Sequence, residues 1–95
     1  MRYASKIDAN QNSIVKALRK AGATVLITSQ LKNAFDILIG YQSSIYIVEI
    51  KDGNKPPSQR KLSEGEQKCK ADFERVGCKY NVITSIEEAL KLIEI

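Results

Sequence analysis

Apolar residues recur at two different periods along the first half of the chain. From about residue 10 to residue 21 they follow helical spacing, and Gly22 is typical of a helix end. Beyond it, apolar and β-branched runs predict three strands, at residues 24–28, 35–40 and 45–51. The second and third strands are separated by residues 41–44, a link of the length that joins a β-hairpin. The first half therefore predicts a helix, a strand and a hairpin.

The second half of the chain carries two motifs that start helices. In a capping box, a serine and a glutamate three residues apart satisfy the first free N–H groups of a helix. Two such pairs occur, Ser63 with Glu66 and Ser85 with Glu88. The helix that starts at Ser63 ends at Gly77. Its apolar stripe is formed by Leu62, Cys69, Phe73 and Val76. With a strand at residues 80–83 between the two helices, the predicted order is α-β-β-β-α-β-α, in a single domain over residues 1–95.

Charged residues occur where the two hairpin strands otherwise predict a buried surface. Glu49 and Lys51, two residues apart on one strand, point to the same face of the sheet. If the turn centres between Gln42 and Ser43, Asp36 lies directly opposite Glu49, with the Cβ atoms about 4.5–5.5 Å apart. Two negative charges so placed repel each other, and a charge on a buried face is costly unless it has a partner. The pattern therefore predicts a cation between Asp36 and Glu49.

Magnesium or manganese would satisfy two opposed carboxylates, because both ions prefer oxygen ligands. The main-chain carbonyl of Ile50 could add a ligand. Lys51 could orient or deprotonate an attacking water and stabilise negative charge that develops on a phosphate. The alternative is that Asp36 and Glu49 are exposed residues at strand ends, with Glu49 and Lys51 forming a minor surface ion pair. The hairpin, its apolar flanks and the basic loop that follows favour the metal site.

A positively charged stretch follows this strand end. The net charge of +4 and the pI of about 9.1 favour a polyanionic partner only weakly. Residues 51–61 hold four basic side chains against one acid, Asp52, and their glycine, asparagine, proline and serine residues predict a loop. Such a loop could contact phosphates, although a solvated connector fits its composition equally well.

The composition excludes several classes of site. The chain contains no histidine, so Ser-His-Asp triads, Cys-His pairs and HExxH zinc sites cannot form within it. Two cysteines are too few for a disulfide framework; Cys69 is predicted to lie in the core and Cys78 to be structural. No apolar run approaches the roughly 20 residues of a membrane helix, and residues 1–8 do not resemble a signal peptide. We expect a cytoplasmic protein without a membrane partner.

Asp36 and the triplet Glu49-Ile50-Lys51, on a hairpin that follows a helix and a strand, resemble the signature of the PD-(D/E)XK nuclease superfamily. The resemblance is more complete to the virus-type replication-repair nuclease (VRR-NUC) group and more distant to archaeal-type Holliday junction resolvases. It covers nearly the whole chain, including residues 35–40, 47–53 and 62–67. It implies an α/β (α+β) fold: a restriction-endonuclease-like αβββαβ core with a C-terminal helix, and a mixed four-stranded sheet flanked by helices.

The resemblance also implies roles for individual residues. Enzymes of this kind cut DNA phosphodiester bonds with Mg²⁺ or Mn²⁺, so Asp36 and Glu49 would be metal ligands and Lys51 the catalytic lysine. They carry a glutamine at the start of the second conserved helix, which could correspond to Glu66 or Gln67 here. Because the capping box already explains Glu66, Gln67 is the preferred candidate.

Two departures from the family pattern concern the first helix and the residues before Asp36. The family places a polar or acidic side chain of the first helix near the metal, and the candidates here include no acid: Asn10, Gln11 and Asn12. Gln11 is preferred as a metal ligand for its spacing to Gly22, and the alternative is a residue that is solvated or only caps the helix. Ala34-Phe35 stands where the family commonly has Gly-x-Pro, a change that leaves the metal-binding chemistry intact.

These inferences predict a metal-dependent DNA endonuclease that selects DNA structure rather than sequence. By analogy with the family, it would be encoded by a phage or mobile element and act in the host cytoplasm as a homodimer on branched DNA. Phosphate contacts would come from the basic side chains Lys32, Lys55, Arg60 and Lys61. The main alternative is a non-catalytic DNA-binding or accessory module that keeps the nuclease fold, which the missing first-helix acid supports. A small scaffold or regulatory protein with no nucleic-acid role is the third possibility.

Overall fold

The computed structural model describes residues 8–94, and within them the predicted elements form in the predicted order. The second strand begins two residues later than its sequence pattern indicates, and a short 3-10 turn, Pro57–Gln59, lies within the predicted basic loop. The helices and strands are α1 (Gln11–Lys20), β1 (Thr24–Ile27), β2 (Ile37–Tyr41), β3 (Ser44–Ile50), α2 (Glu64–Arg75), β4 (Tyr80–Ile83) and α3 (Ile86–Ile93).

The described strands form a mixed sheet in the order β1-β2-β3-β4. The β1–β2 and β2–β3 pairs are antiparallel, whereas β4 runs parallel to β3. Gln42 and Ser43, which connect β2 to β3, both have positive φ, of 47° and 69°. Two successive residues in this region characterise the type I′ turn that closes two-residue hairpins. The turn therefore centres where the sequence placed it.

One face of the sheet, the core face, packs against α1 and α3. Because side chains alternate along a strand, Ile37 and Ile39 of β2 and Val48 and Ile50 of β3 all point toward these helices. All four are fully buried. They belong to one cluster with apolar residues of α1 and α3, which are Ile14, Val15, Leu18, Ala89 and Ile93. This cluster is the hydrophobic core, and it fixes both the hairpin and the helices that cover it.

The opposite face, the site face, is only partly covered. It carries the alternate residues of the same strands, among them Leu38, Ile45, Ile47 and Glu49. α2 lies on this side against β4, but none of its 12 residues is buried. Phe73 of α2 meets Phe35 edge-on, with the ring centroids 6.3 Å apart. The site face therefore keeps polar and apolar side chains within reach of solvent.

The predicted core position of Cys69 is wrong, because Cys69 is only half-buried. Val76, in the same apolar stripe, is 63% exposed, and Cys78 is exposed as well. The reason is the position of α2, which rests against the β4 edge of the sheet rather than across its centre. Helical periodicity identified the apolar side of α2, but not how much of that side is covered.

The two predicted capping boxes differ. At α2 the box is confirmed: Ser63 Oγ accepts from the Glu66 N–H at 3.1 Å, and the Glu66 carboxylate accepts from the Ser63 N–H at 2.9 Å. At α3 only half of it forms, because Ser85 Oγ accepts from the Glu88 N–H whereas the Glu88 carboxylate binds the N–H and hydroxyl of Thr84. Both helices nevertheless begin at the predicted serine.

Across residues 8–94, no helix is long and apolar enough to cross a membrane. The prediction that residues 1–8 are not a signal peptide concerns, apart from Asp8, residues outside those described.

Candidate metal and catalytic site

The hairpin register brings Asp36 close to Glu49. In the ladder between β2 and β3, Ile37 pairs with Val48, which confirms the predicted register up to this pair. Asp36 directly precedes β2, and its N–H donates to the Val48 carbonyl at 3.0 Å. The side chains of Asp36 and Glu49 contact each other at the open end of the hairpin. The direct pairing of the two residues across the strands stays a prediction.

Asp36 is held by its neighbours on both sides. The Ile50 N–H donates to Asp36 Oδ2 at 2.8 Å, and the Thr28 N–H donates to the Asp36 main-chain carbonyl at 2.8 Å. The preceding residue is fixed too, since the Thr28 hydroxyl donates to the Phe35 carbonyl and the Tyr80 hydroxyl donates to the Ala34 carbonyl. These bonds restrain Ala34 and Phe35. The VRR-NUC pattern commonly has a proline at this point, and this chain has none.

The two carboxylates are close enough to perturb each other. Glu49 is 3% exposed. Burial, reinforced by the negative charge of Asp36, raises the pKa of Glu49 to about 9. Burial also raises the pKa of Asp36, against the stabilising bond from the Ile50 N–H. Two buried acids in this arrangement favour a shared proton or a bound cation over two free negative charges.

Lys51 follows on the same face. Its Nζ lies 3.0 Å from Glu66 Oε1 and 3.4 Å from Glu49 Oε2, and its side chain is only 14% exposed. Burial opposes the charged form, but the carboxylates of Glu66 and Glu49 outweigh it and raise the pKa of Lys51. The main chain is anchored as well, because the Lys51 N–H donates to the Ile83 carbonyl and the Asn10 amide donates to the Lys51 carbonyl. Lys51 is thus presented to the two acids as an ammonium group.

These groups line an open cavity of about 480 Å³. Its floor carries Asp36, Glu49 and Lys51, and three further lysines lie on its wall: Lys32, Lys55 and Lys61. Three of the four basic residues predicted to bind phosphates are therefore beside the acids. Arg60 is not on this wall and is half-buried. A cavity with an acidic floor and basic walls can hold both a cation and a polyanion.

A close packing contact shapes one wall of the cavity. A side chain at Gly65, in the first turn of α2, would overlap the side chain of Asn33. Asn33 has φ of 57° and lies in the connection between β1 and β2, next to Lys32. The missing side chain of Gly65 allows this connection to lie against the start of α2, which brings Lys32 to the cavity.

The first helix contributes less directly than predicted. Gln11 is buried, at 1% exposure, and does not line the cavity. Its amide nitrogen donates to Ser29 Oγ at 3.3 Å, and Ser29 is the residue that reaches the cavity wall. Gln11 therefore lies behind the wall because its side chain is on the inward side of α1. Asn10 bridges the ends of β3 and β4, since its amide donates to the carbonyls of Lys51 and Thr84.

Asp8 is an acid that the sequence reasoning missed. It precedes α1, lines the cavity, and has its carboxylate 3.9 Å from Lys55 Nζ. Its negative charge contributes to the raised pKa of Asp36. The sequence candidates for a first-helix acid were residues 10–12, whereas Asp8 lies three residues before the first helical residue, Gln11.

The choice between Gln67 and Glu66 is reversed by the structure. Gln67 is exposed, its amide donates to the Leu62 carbonyl at 3.0 Å, and it does not line the cavity. Glu66 lines the cavity and touches Lys51. Glu66 therefore contacts Lys51 in addition to capping the helix. The sequence could not reveal this contact, because it depends on how the loop of residues 51–61 places the start of α2.

The residues present fit a divalent cation bound mainly by two carboxylates. Within residues 8–94, no group of three or more acidic or cysteine side chains is arranged as a complete set of metal ligands. Mg²⁺ commonly uses one or two carboxylates and keeps several waters, so Asp36 and Glu49 meet its requirement. The N–H and C=O of one strand residue face the same neighbouring strand. Since the Ile50 N–H reaches Asp36, the Ile50 carbonyl is directed to the same side.

Comparison with known proteins shows the fold. A solved structure described as a VRR_NUC domain is 22% identical to this chain, and the match covers 90% of this chain and 96% of the other, with a TM-score of 0.63. No protein-family model and no curated protein sequence matches the chain. The chain thus has the nuclease fold of a VRR-NUC domain, which confirms the fold that the resemblance implied.

Proposed function

We propose that this protein is a DNA nuclease that hydrolyses phosphodiester bonds with Mg²⁺ or Mn²⁺. The observation that carries the proposal is the contact between the Asp36 and Glu49 side chains at the end of the hairpin, with Lys51 Nζ 3.4 Å from Glu49. The structural similarity to a VRR_NUC domain supports the same reaction class. A fold alone does not specify an activity, so the charged residues of the cavity bear most of the argument.

In this proposal Asp36 and Glu49 hold the metal, and the Ile50 carbonyl is a third ligand. A bound divalent cation supplies Lewis acidity at the phosphoryl oxygen and lowers the pKa of a coordinated water. Lys51 orients the attacking water and offsets negative charge on the phosphate. The bonds from Ile50 and Thr28 keep the Asp36 carboxylate in one position, which limits the reorganisation needed for catalysis. Gln11 would act through its contact with Ser29, and Asp8 would add negative charge to the cavity near Asp36.

The DNA backbone would be bound by Lys32, Lys55 and Lys61. All three lie on the cavity wall, so a phosphate drawn to them comes within reach of the two acids. Contacts of this kind position a duplex without reading its sequence, and they weaken as salt rises. We extend the proposal to branched DNA as the preferred substrate and to a phage-encoded enzyme that acts in the host cytoplasm. Both extensions come from the family resemblance.

We further propose that two copies associate through the uncovered part of the site face. Apolar side chains are exposed there on the two strands that flank β2, with Leu26 of β1 at 59% and Ile45 of β3 at 73%. Exposed apolar residues grouped on one surface favour association. Light scattering should give the mass of a dimer for the wild type and of a monomer for Ile45→Lys. A monomeric wild type at micromolar concentration would contradict this part of the proposal.

The central test is cleavage of a four-way junction, a flap and a linear duplex in Mg²⁺ or Mn²⁺. The wild type should cut at least one of them, and Asp36→Ala and Lys51→Ala should not. Lys68→Ala is the matched control for Lys51, because Lys68 is an exposed lysine of α2 whose ion pair with Asp72 lies outside the cavity. Binding of DNA without cleavage in either metal would favour the accessory module, and absence of binding would leave the scaffold.

A further inference from the structure

We propose that Glu66 is a positioning residue of this site, which couples the start of α2 to Lys51. The inference rests on the proposed function and deepens it, since it concerns the same cavity. It assigns to a helix-capping glutamate the task of holding the lysine ammonium in place beside the metal-binding acids.

One oxygen of Glu66 makes two contacts. Glu66 Oε1 accepts from the Ser63 N–H at 2.9 Å and from Lys51 Nζ at 3.0 Å. The Glu66 main chain is fixed in turn, because its N–H donates to Ser63 Oγ at 3.1 Å. The carboxylate therefore has little freedom, and the position of Lys51 Nζ follows from the position of the helix start.

The ion pair between Lys51 and Glu66 is partly shielded from solvent. The side chains of Lys51 and Glu66 are 14% and 21% exposed, whereas the Lys68–Asp72 pair further along α2 is 77% and 50% exposed. Solvent and salt screen exposed pairs strongly and partly buried pairs less. A charged hydrogen bond of 3.0 Å in this setting can hold a flexible lysine side chain in one geometry.

Glu66 also competes with Glu49 for the ammonium group of Lys51. Lys51 Nζ is nearer to Glu66, at 3.0 Å, than to Glu49, at 3.4 Å. Without the Glu66 charge, Glu49 would be the remaining acid in contact with the ammonium among the described residues. Lys51 would then neutralise a carboxylate that the proposed metal requires. Glu66 thus keeps the lysine close to the acids while leaving Glu49 available to a cation.

Glu66→Gln separates this task from helix capping. Glutamine at the third helical position also completes a capping box, so the start of α2 should be kept while the charge is lost. The matched control is Glu64→Gln, which removes the same charge from an exposed residue two positions earlier that does not line the cavity. An effect of Glu66→Gln that Glu64→Gln lacks cannot come from net charge or from capping.

Two measurements test the proposal. In ¹⁵N NMR of the lysine ammonium groups, the signal that Lys51→Ala removes should be protected from solvent exchange in the wild type and in Glu64→Gln, and lose that protection in Glu66→Gln. In cleavage assays, Glu66→Gln should lower kcat about 10- to 100-fold, the range typical of residues that orient metal-site groups, with little change in KM for DNA. Glu66→Asp keeps the charge and should recover part of the rate.

The outcomes separate this inference from the proposed function. An active wild type with Glu66→Gln as fast as Glu64→Gln would overturn the positioning role and leave the nuclease standing. A Lys51 signal equally protected in the wild type and in Glu66→Gln would overturn it as well. A wild type that cleaves nothing in either metal would instead overturn the nuclease proposal, whatever the NMR spectra show.

Discussion

The two faces of the same hairpin have opposite properties. On the core face, Ile37 and Val48 form a directly opposed pair that is completely buried against the helices. One residue along, Asp36 and Glu49 contact each other through their side chains and line an open cavity. Alternation of side chains makes both arrangements possible in adjacent positions. The apolar pair holds the strands in register. That register brings two carboxylates together, although they repel each other when both are ionised.

The comparison also explains why the site face is poorly covered. None of the residues of α2 is buried, so this helix leaves the site face open, as the proposed binding of a phosphate backbone would require. The stability of the hairpin must then come mostly from the core face. Each of the following substitutions tests this division of roles, beginning with the largest expected effect.

Truncation on the core face should destabilise the protein most. Ile37→Ala removes a fully buried side chain and should lower the free energy of unfolding by about 2–5 kcal/mol. Val76→Ala, at the end of α2 on the site-face side and 63% exposed, should change it by less than about 0.5 kcal/mol. Equilibrium unfolding in urea measures both. Equal losses from the two variants would show that the faces do not differ in this way.

Removal of a charge on the site face should instead increase the free energy of unfolding. In Asp36→Asn, the amide oxygen can still accept from the Ile50 N–H, and the amide nitrogen can donate to Glu49. Loss of the Asp36 charge also removes one cause of the raised pKa of Glu49, so Glu49 can be ionised at a smaller cost in the folded protein. We expect the metal-free protein to gain about 1 kcal/mol of stability and to lose cleavage activity. Urea unfolding in EDTA and the junction assay measure the two effects.

Asp72→Asn is the control for this substitution, because Asp72 is an exposed acid of α2 paired with Lys68. It should change neither stability nor cleavage appreciably. A loss of stability in Asp36→Asn, comparable to that in a core variant, would mean that Asp36 is a structural residue.

The basic wall of the cavity should show the smallest effect, and one that depends on salt. Lys61→Ala removes one proposed phosphate contact, so the slope of log Kd for DNA against log salt concentration should fall by about 1. Lys70→Ala removes a lysine that pairs with Glu74 and does not line the cavity, and it should leave the slope unchanged. Fluorescence anisotropy at several salt concentrations makes the comparison, and identical slopes for both variants would exclude Lys61 from the interface.

The register was predictable because several local signals agree on it. The turn between Gln42 and Ser43 sets the pairing of Ile37 with Val48. The apolar pattern alone would not, because apolar residues occur on both faces, with Leu38 and Ile47 on the site face. A shift by one residue would exchange the two faces of one strand and separate Asp36 from Glu49.

The remaining parts of the site depend on contacts between distant segments. Periodicity marked Cys69 as apolar but could not tell that α2 lies at the edge of the sheet. The capping box predicted the local geometry of Glu66 but not its contact with Lys51. That contact requires the loop of residues 51–61 to place the start of α2 beside Lys51. The same limit applies to Asp8, whose place on the cavity wall depends on how α1 packs on the sheet.

The measurement that tests the metal site most directly is a titration with Mn²⁺, followed by the loss of the free-ion signal in electron paramagnetic resonance. It needs no substrate, so it is independent of the choice of DNA. We predict that the wild type binds Mn²⁺ and that Mg²⁺ competes for the same site. Binding should be lost in the double variant Asp36→Asn, Glu49→Gln and retained in Asp72→Asn. Equal Mn²⁺ binding by the double variant and the wild type, or no binding by the wild type at millimolar Mn²⁺, would contradict the assignment of these two acids as metal ligands.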